Sequence, residues 1–246
     1  RNIFAACFFG ILLSKRIVYE THTIELGIIR KRIQRLLLKK MCVETVVISQ
    51  ALKNILLSKY PFVSGNIHVM HDAAFDDSPP FSRIIREKKR KEHFTFINDQ
   101  YIYKYYAGYF GQLYAGRGIE IIENLARLNS SVLFIVYGGS EEDVLRFKMK
   151  NNMANLIFMG HLPAKQIKSI MSIMDVLLMP YQREVSIGVK GFDTALWMSP
   201  IKMFEYMSVG VPIISSDLPV LREILIDKHN CLLVDPEDLM CWSSAL

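Results

Sequence analysis

The sequence of 246 residues predicts an α/β protein built on parallel sheets. Short apolar runs alternate with stretches of helical spacing along almost the whole chain. The clearest runs, Val132–Val136 (VLFIV) and Val176–Met179 (VLLM), are continuous rather than polar at every second position, as expected of strands covered on both faces. The alternation breaks once, across residues 72–104. That stretch opens with Asp72–Pro80 (DAAFDDSPP), whose Asp, Ser and Pro interrupt any regular element. Two Rossmann-like domains follow, residues 1–78 and residues 79–246. The first is expected to be incomplete, because only about three strands fit before residue 72 against the five or six of a doubly wound sheet.

Taken in order, Arg16–Thr21 (RIVYET) is a β-branched run and opens the first sheet. Arg30–Lys40 carries Arg30, Lys31, Arg32, Arg35, Lys39 and Lys40 without an acid, interleaved with Ile and Leu. A basic amphipathic helix of this kind docks on a membrane surface or a partner, or else it is buried with its long side chains reaching back to water. Thr45–Ser49 (TVVIS) and Ile67–Met70 are the next strands, with helical spacing over Gln50–Ser58 between them. Lys88–Lys91 falls in a poorly patterned stretch and reads as a solvated loop. No aromatic stacking pattern accompanies it, so no nucleic-acid partner is expected.

The second half is more regular. Strands are predicted over Tyr105–Gly111, Val132–Val136, Leu156–Met159, Val176–Met179, Pro212–Ser216 and Cys231–Val234. Helices are predicted over Ile119–Leu128, Glu141–Lys150, Ala164–Met174, Pro200–Val209 and Val220–Ile226. Ser199 is the expected N-cap of the Pro200 helix, with Pro200 in its first turn and Gly210 as its stop.

Composition narrows the class. At 51% hydrophobic and 22% charged, the chain is no disordered or low-complexity protein. The longest apolar run, Ile3–Leu13, falls well short of the roughly 20 residues a membrane-spanning helix needs. The net charge of +6 is uneven: residues 1–100 hold 17 Lys/Arg against 9 Asp/Glu, and the remainder 13 against 15. The asymmetry points to an anionic partner for the first half. Cys7, Cys42, Cys231 and Cys241 stand singly and read as buried small residues in a reducing compartment. The chain begins at Arg1, without the pattern of a signal peptide, and is read as a piece of a longer protein.

In open parallel sheets, ligands meet the carboxyl ends of strands, where loops enter helix N-termini. Three junctions qualify. Gly111–Gly118 (GQLYAGRG) follows a strand and opens a helix; its glycines admit an anion to the backbone, and Arg117 adds a charge suited to phosphate. It is neither a Walker loop nor a dinucleotide fingerprint, and a plain tight turn explains it equally well. Ser199–Glu223 places Lys202 and Glu205 three residues apart on one helix face. A lysine there neutralises phosphate and a carboxylate accepts from ribose hydroxyls, although a surface ion pair has the same spacing. Tyr19–His22 (YETH) puts His22 at the end of the first strand.

The segment Ser199-Pro-Ile-Lys-Met-Phe-Glu-Tyr-Met, followed by Gly210-Val-Pro-Ile and Ser216-Asp-Leu-Pro-Val-Leu-Arg-Glu223, resembles the signature of retaining GT-B glycosyltransferases of family 4, the glycosyl transferases group 1 domain. Gly118-Ile-Glu, Tyr137-Gly-Gly139, Gly160 and Asp175–Tyr181 fit the same domain in order and spacing. Tyr19–His22, Val46–Ser49 and Val69–Asp72 resemble the second half of the family's N-terminal domain. The resemblance implies two Rossmann-like domains facing across a cleft, with the C-terminal one short of its last helices in this chain. It also assigns roles: Glu205 to the donor ribose, Arg117 to the diphosphate, Lys202 to the donor side of the cleft, and His22 to the transferred sugar. The loop from Leu218 passes the nucleotide, and Gly111 opens the donor loop. Two departures stand out. Trp197 occupies the position of a second family glutamate, and Gln112 that of an arginine; Asp193 is a candidate substitute for the missing acid.

The resemblance implies transfer of a hexose or N-acetylhexosamine, with retention, from a nucleoside diphosphate sugar to a saccharide. UDP is the expected nucleotide, and the acceptor is expected on a polyprenyl diphosphate carrier in O-antigen or capsule synthesis. No cofactor or metal is expected. The location implied is cytoplasmic, peripheral on the inner face of the plasma membrane through the Arg30–Lys40 helix. Rivals are a sugar-nucleotide epimerase or phosphorylase of the same fold, and a non-catalytic membrane-associated subunit, which Trp197 keeps open.

Overall fold

The computed structural model describes residues 17–25, 27–40, 42–74, 82–95, 103–189 and 193–246, together with Phe4, Phe8 and Leu12. The chain groups into two compact units. One holds residues 1–72 and 194–199; the other holds residues 73–193 and 200–246. The expected boundary at 78/79 lies outside the described residues.

The first unit is a three-stranded parallel sheet in the order β1 (Ile17–Thr21), β2 (Cys42–Val47), β3 (Ile67–Val69). The connecting helices are α1 (Ile28–Lys40) and α2 (Gln50–Lys59). Parallel neighbours require such crossovers, which is why helical and strand periods alternate in the sequence. The core gathers Leu37, Leu38, Val47, Leu52, Leu56 and Ile67. Gln34 is fully buried on α1, where its amide donates to the Tyr19 hydroxyl and its carbonyl accepts from Tyr60. The basic helix has one buried face and one exposed face. Gln34, Leu37 and Leu38 are buried, while Ile28 (73% exposed), Ile29 (69%) and Leu36 (42%) stand in solvent among exposed Arg32, Arg35, Lys39 and Lys40.

Ser49 ends the run after β2 and caps α2, its hydroxyl accepting from Leu52 N at 3.0 Å. The same hydroxyl donates to the Trp197 carbonyl at 2.9 Å, and Asp72 N donates to Ser199 Oγ. Residues 194–199 are thereby held to this unit, with Trp197 packed against its core.

The second unit contains a six-stranded parallel sheet: β4 (Tyr105–Phe110), β5 (Val132–Tyr137), β6 (Leu156–Gly160), β7 (Val176–Met179), β8 (Ile213–Ser216) and β9 (Leu232–Val234). Their spatial order is β6-β5-β4-β7-β8-β9. The chain winds outward from β4 in one direction and resumes at β7 in the other, so the switch point lies between β4 and β7. β5 is buried at every position. The helices are α3 (Arg83–His93), α4 (Ile119–Leu128), α5 (Glu141–Lys150), α6 (Ala164–Met171), α7 (Ile201–Ser208) and α8 (Leu239–Ala245).

Several elements differ from the sequence expectations. Lys88–Lys91 belongs to α3, not to a loop. Ser82 caps that helix, and Arg86 and Arg90 turn inward to Asp175, the Arg90 pair at 2.6 Å. Val220–Ile226 is reduced to a 3₁₀ turn over Leu221–Glu223. The N-cap of α7 is Pro200 rather than Ser199, and Gly210 ends the helix region with φ +65°. Helix α8 was not anticipated; Asp238 accepts from Cys241 N at its start, and Trp242 is fully buried. Cys241 is exposed rather than buried, whereas Cys231 is buried as expected. Cys7 and the Cys42 side chain lie outside the described residues. No described helix is long and apolar enough to cross a membrane.

Candidate active site

The switch point of the second unit gathers most of the predicted residues. β4 ends at Phe110, and the chain turns at Gly111, whose N–H donates to Tyr137 O. Gly138, beyond β5, sits directly on the Gly111 carbonyl with φ +114°; a Cβ there would overlap that oxygen. Gly118 adopts φ +84° as the N-cap of α4, and a Cβ would overlap the Pro180 carbonyl. Only glycine fits both positions, so the loop after β4 lies tightly against the ends of β5 and β7.

Arg117, one residue before that cap, is fixed by two bonds. Its Nη1 donates to the Tyr181 hydroxyl at 3.0 Å and its Nε to the Ser186 carbonyl at 3.2 Å. The guanidinium carbon lies 5.3 Å from the Tyr181 ring centroid. Tyr181 follows β7 and is only 1% exposed.

Lys202 comes from the first turn of α7. Its stem is partly exposed, but its ammonium is buried and has no hydrogen-bond partner among the described residues. Nζ lies 3.9 Å from the Tyr109 ring centroid and 5.2 Å from that of Tyr181. On the other side, a Cβ added to Gly111 would come within 2.6 Å of Nζ. Burial holds the Lys202 pKa well below the ordinary lysine value and the Arg117 charge lowers it further, while Glu205 pulls the other way. Glu205, three residues along α7, is half-buried; burial raises its carboxyl above the usual range, and Lys202 opposes that rise.

Tyr206 follows Glu205 on α7. It is fully buried, and its hydroxyl accepts from Phe110 N at 2.8 Å. That bond ties α7 to the end of β4. At the end of β8, Ser216 Oγ is buried without a partner among the described residues, and Leu218 is buried with its N–H donating to Ser216 O. Asp217, between them, pairs with Arg222 through both carboxylate oxygens.

Gly111, Arg117, Lys202, Glu205 and Leu218 therefore share the carboxyl-end region of one sheet. Direct packing links Gly111 to Lys202, and the Tyr181 ring links Lys202 to Arg117. His22 belongs to the first unit. There it follows β1, partly exposed, with Nε2 at 2.6 Å from Glu20 Oε1. Asp193 is engaged elsewhere, accepting from Val185 N at 2.7 Å, and Gln112 is exposed. Sequence reasoning missed Tyr109, Tyr181, Tyr206 and Ser216. Each lies at or beside a strand terminus or next to a predicted residue, where a polar group inside an apolar run was the available signal.

The arrangement can receive an anion: two cations, one lacking a hydrogen bond among the described residues, lie beside a backbone turn with a carboxylate one helical turn away. Comparison with known proteins bears on what that anion is. The family model for glycosyl transferases group 1 matches residues 104–246, more than half of the chain. The chain belongs to that family. Solved structures resemble it beyond the matched segment. HepE from Anabaena, crystallised with UDP and glucose, is 16% identical and superposes with a TM-score of 0.68, covering 98% of this chain and 64% of its own. Sucrose-phosphate synthase from Thermosynechococcus elongatus is 14% identical, with a TM-score of 0.68 and coverages of 97% and 60%. WaaG, a glycosyltransferase involved in lipopolysaccharide biosynthesis, is 12% identical, with a TM-score of 0.65 and coverages of 93% and 64%. At these identities the likeness establishes the α/β GT-B fold with its parallel sheets. The chain spans 64% of HepE's length. No curated protein matches the sequence.

Proposed function

We propose that this chain carries the donor site of a retaining glycosyltransferase that uses a nucleoside diphosphate sugar, with UDP as the nucleotide. The observation that carries the reading is the Lys202 ammonium, buried without a hydrogen-bond partner among the described residues, beside Arg117 at the sheet's switch point. A buried charge left unpaired is costly, so such a group is kept where a ligand completes it. The diphosphate of the donor supplies the missing partner. As the bond from the sugar to the diphosphate breaks, negative charge grows on the leaving group. Cations already fixed there stabilise the transition state more than the ground state. Glu205, next along the same helix face, accepts from the ribose hydroxyls. His22 serves the transferred sugar from the first unit. Charge stabilisation in this scheme falls to Arg117, Lys202 and backbone N–H groups, and it requires no metal ion.

HepE's complexes with UDP and UDP-glucose support the choice of nucleotide, and WaaG's part in lipopolysaccharide biosynthesis supports a surface-polysaccharide acceptor; the polyprenyl diphosphate carrier is our own extension of that reading. In this reading the exposed basic face of α1 meets the anionic leaflet on which such an acceptor sits, at the inner face of the plasma membrane. A second reading, a non-catalytic subunit, is favoured by Trp197, which packs into the first unit's core where many relatives carry a carboxylate.

The test is a thermal-shift screen with UDP-, GDP-, ADP- and TDP-sugars, followed by transfer assays on the full-length protein. A UDP-sugar should raise the Tm most, and Glu205→Ala and Arg117→Ala should each lower transfer at least about tenfold, or roughly 1.4 kcal/mol. Full activity in both variants would remove the site assignment. Absence of turnover with any donor would favour the non-catalytic subunit.

A further inference from the structure

Two like charges at one site repel, and Arg117 is among the groups that disfavour the charged form of Lys202. A carboxylate between them is the usual remedy, but it would neutralise the pair and compete with the ligand's own phosphate oxygens. Here one aromatic ring lies beside both cations. The Tyr181 ring centroid lies 5.3 Å from the Arg117 guanidinium and 5.2 Å from Lys202 Nζ, and the Tyr181 hydroxyl accepts from Arg117 Nη1. Tyr109, closer to Lys202, is pinned separately, its hydroxyl donating to the Gln112 carbonyl at 2.7 Å. An aromatic face attracts a cation through its quadrupole while adding no net charge.

Resting on the donor-site reading above, we propose that Tyr181 is a positioning residue that holds Arg117 and Lys202 together as a receptor for the donor diphosphate. The hydroxyl fixes the guanidinium's direction, and the ring lies near both cations without discharging them. Arg117 uses Nε on Ser186 O and one Nη1 proton on Tyr181. Three of its five N–H groups stay available for phosphate. Lys202 Nζ spends no proton on a partner among the described residues. Tyr181 itself is set by its place after β7, its N–H donating to Met179 O, and by near-complete burial. It acts through the two cations and is not a catalytic residue.

The test measures binding of UDP and of inorganic pyrophosphate by calorimetry to the full chain and to Tyr181→Phe, Arg117→Lys and the double variant. Tyr181→Phe keeps the ring and removes only the hydroxyl, so binding of both probes should weaken about tenfold. Arg117→Lys keeps the charge and loses the directed bond, and it should weaken binding similarly. The double variant should bind within about twofold of Arg117→Lys alone, because the hydroxyl works through the guanidinium. Binding by Tyr181→Phe within twofold of the parent would overturn the proposal, as would fully additive losses in the double variant. Should Tyr181→Phe fail to fold, Arg117→Lys decides the matter: parent-like affinity there refutes the directed bond. Pyrophosphate binding without UDP binding would replace the uridine base and leave the Tyr181 comparison in force on pyrophosphate. A parent chain that binds neither probe would overturn the donor site and this inference with it.

Discussion

Replacing Lys202 by Met separates what the buried ammonium does for the ligand from what it does to the fold. Met follows the lysine stem closely and ends in an apolar thioether, so the packing against Tyr109 and Gly111 is largely kept. In the unliganded protein, the change relieves an ammonium without a hydrogen-bond partner, a burden of about 1–3 kcal/mol. It also removes the repulsion from Arg117. Against this, the cation–π contacts with Tyr109 and Tyr181 are lost, about 1–2 kcal/mol in a desolvated setting. Before the relieved repulsion is added, the balance runs from about 1 kcal/mol against Met to about 2 kcal/mol in its favour, a Tm change of roughly −3 to +6 °C for a unit of this size. Ligand linkage moves the other way. At a UDP concentration of about 100 times the parent Kd, bound UDP stabilises the parent by about 2.7 kcal/mol. A 100-fold loss of affinity reduces that to about 0.4 kcal/mol. Differential scanning calorimetry with and without UDP reads both effects. An unliganded Tm lowered by more than about 3 °C, or an undiminished response to UDP, would refute the reasoning.

UDP affinity should be bell-shaped in pH. The Glu205 carboxyl is raised above the ordinary glutamate value, so the carboxylate proposed to accept from ribose is lost on the acid side earlier than for an ordinary glutamate; Lys202 is lowered below the ordinary lysine value, so its proton is lost on the alkaline side earlier than for an ordinary lysine. Lys202→Arg stays charged throughout and should abolish the alkaline limb alone, so persistence of that limb in calorimetric titrations would reassign it. The same depressed lysine penalises folding fully below its folded pKa and progressively less as pH rises towards 10.5, so the unliganded protein should gain stability over that interval in urea titrations. Gly138→Ala, which meets the Gly111 carbonyl at φ +114°, should lower stability by about 2–4 kcal/mol in urea unfolding and weaken UDP binding; an unchanged midpoint would contradict the packing described. Arg32→Glu with Lys39→Glu, both on the exposed face of α1, should abolish flotation with anionic vesicles while leaving Tm within about 2 °C, and salt-insensitive binding would count against docking.

The parts of the fold that were legible in the sequence are those whose signals are local. β5 reads as a strand because all of its positions are buried and apolar, and α7 because its end glycine and inward Met203 and Tyr206 fall at helical spacing. Helix α3 was missed because its inward residues are Arg86 and Arg90, which make no apolar stripe. Their partner, Asp175, lies 85 residues beyond Arg90 in the chain, out of reach of any local pattern. Helix α8 is seven residues long and held by one deeply buried tryptophan, too short for periodicity to register. At the site, Lys202 and Glu205 were visible as charges inside a recognisable segment. The tyrosines were not, because a tyrosine in an apolar run looks like core until its contacts are seen: the Tyr109 and Tyr181 rings beside cations, the Tyr206 hydroxyl on the β4 backbone.

Tyr206 has a bearing on how similarity to this segment should be weighed in other chains. It adjoins Glu205 in sequence, yet its hydroxyl is spent on the β4 backbone at Phe110. The adjacent letters Glu and Tyr therefore report different things, one the chemistry on offer and the other the seat on which the helix rests. A chain that keeps the tyrosine and changes the acid would still score well in an alignment while lacking the carboxylate proposed to hold ribose. One that keeps the acid and changes the tyrosine would retain the chemistry on a helix free to drift. Ranking distant sequences by Lys202 and Glu205 alone, with Tyr206 counted as architecture, should distinguish retained activity from retained ancestry.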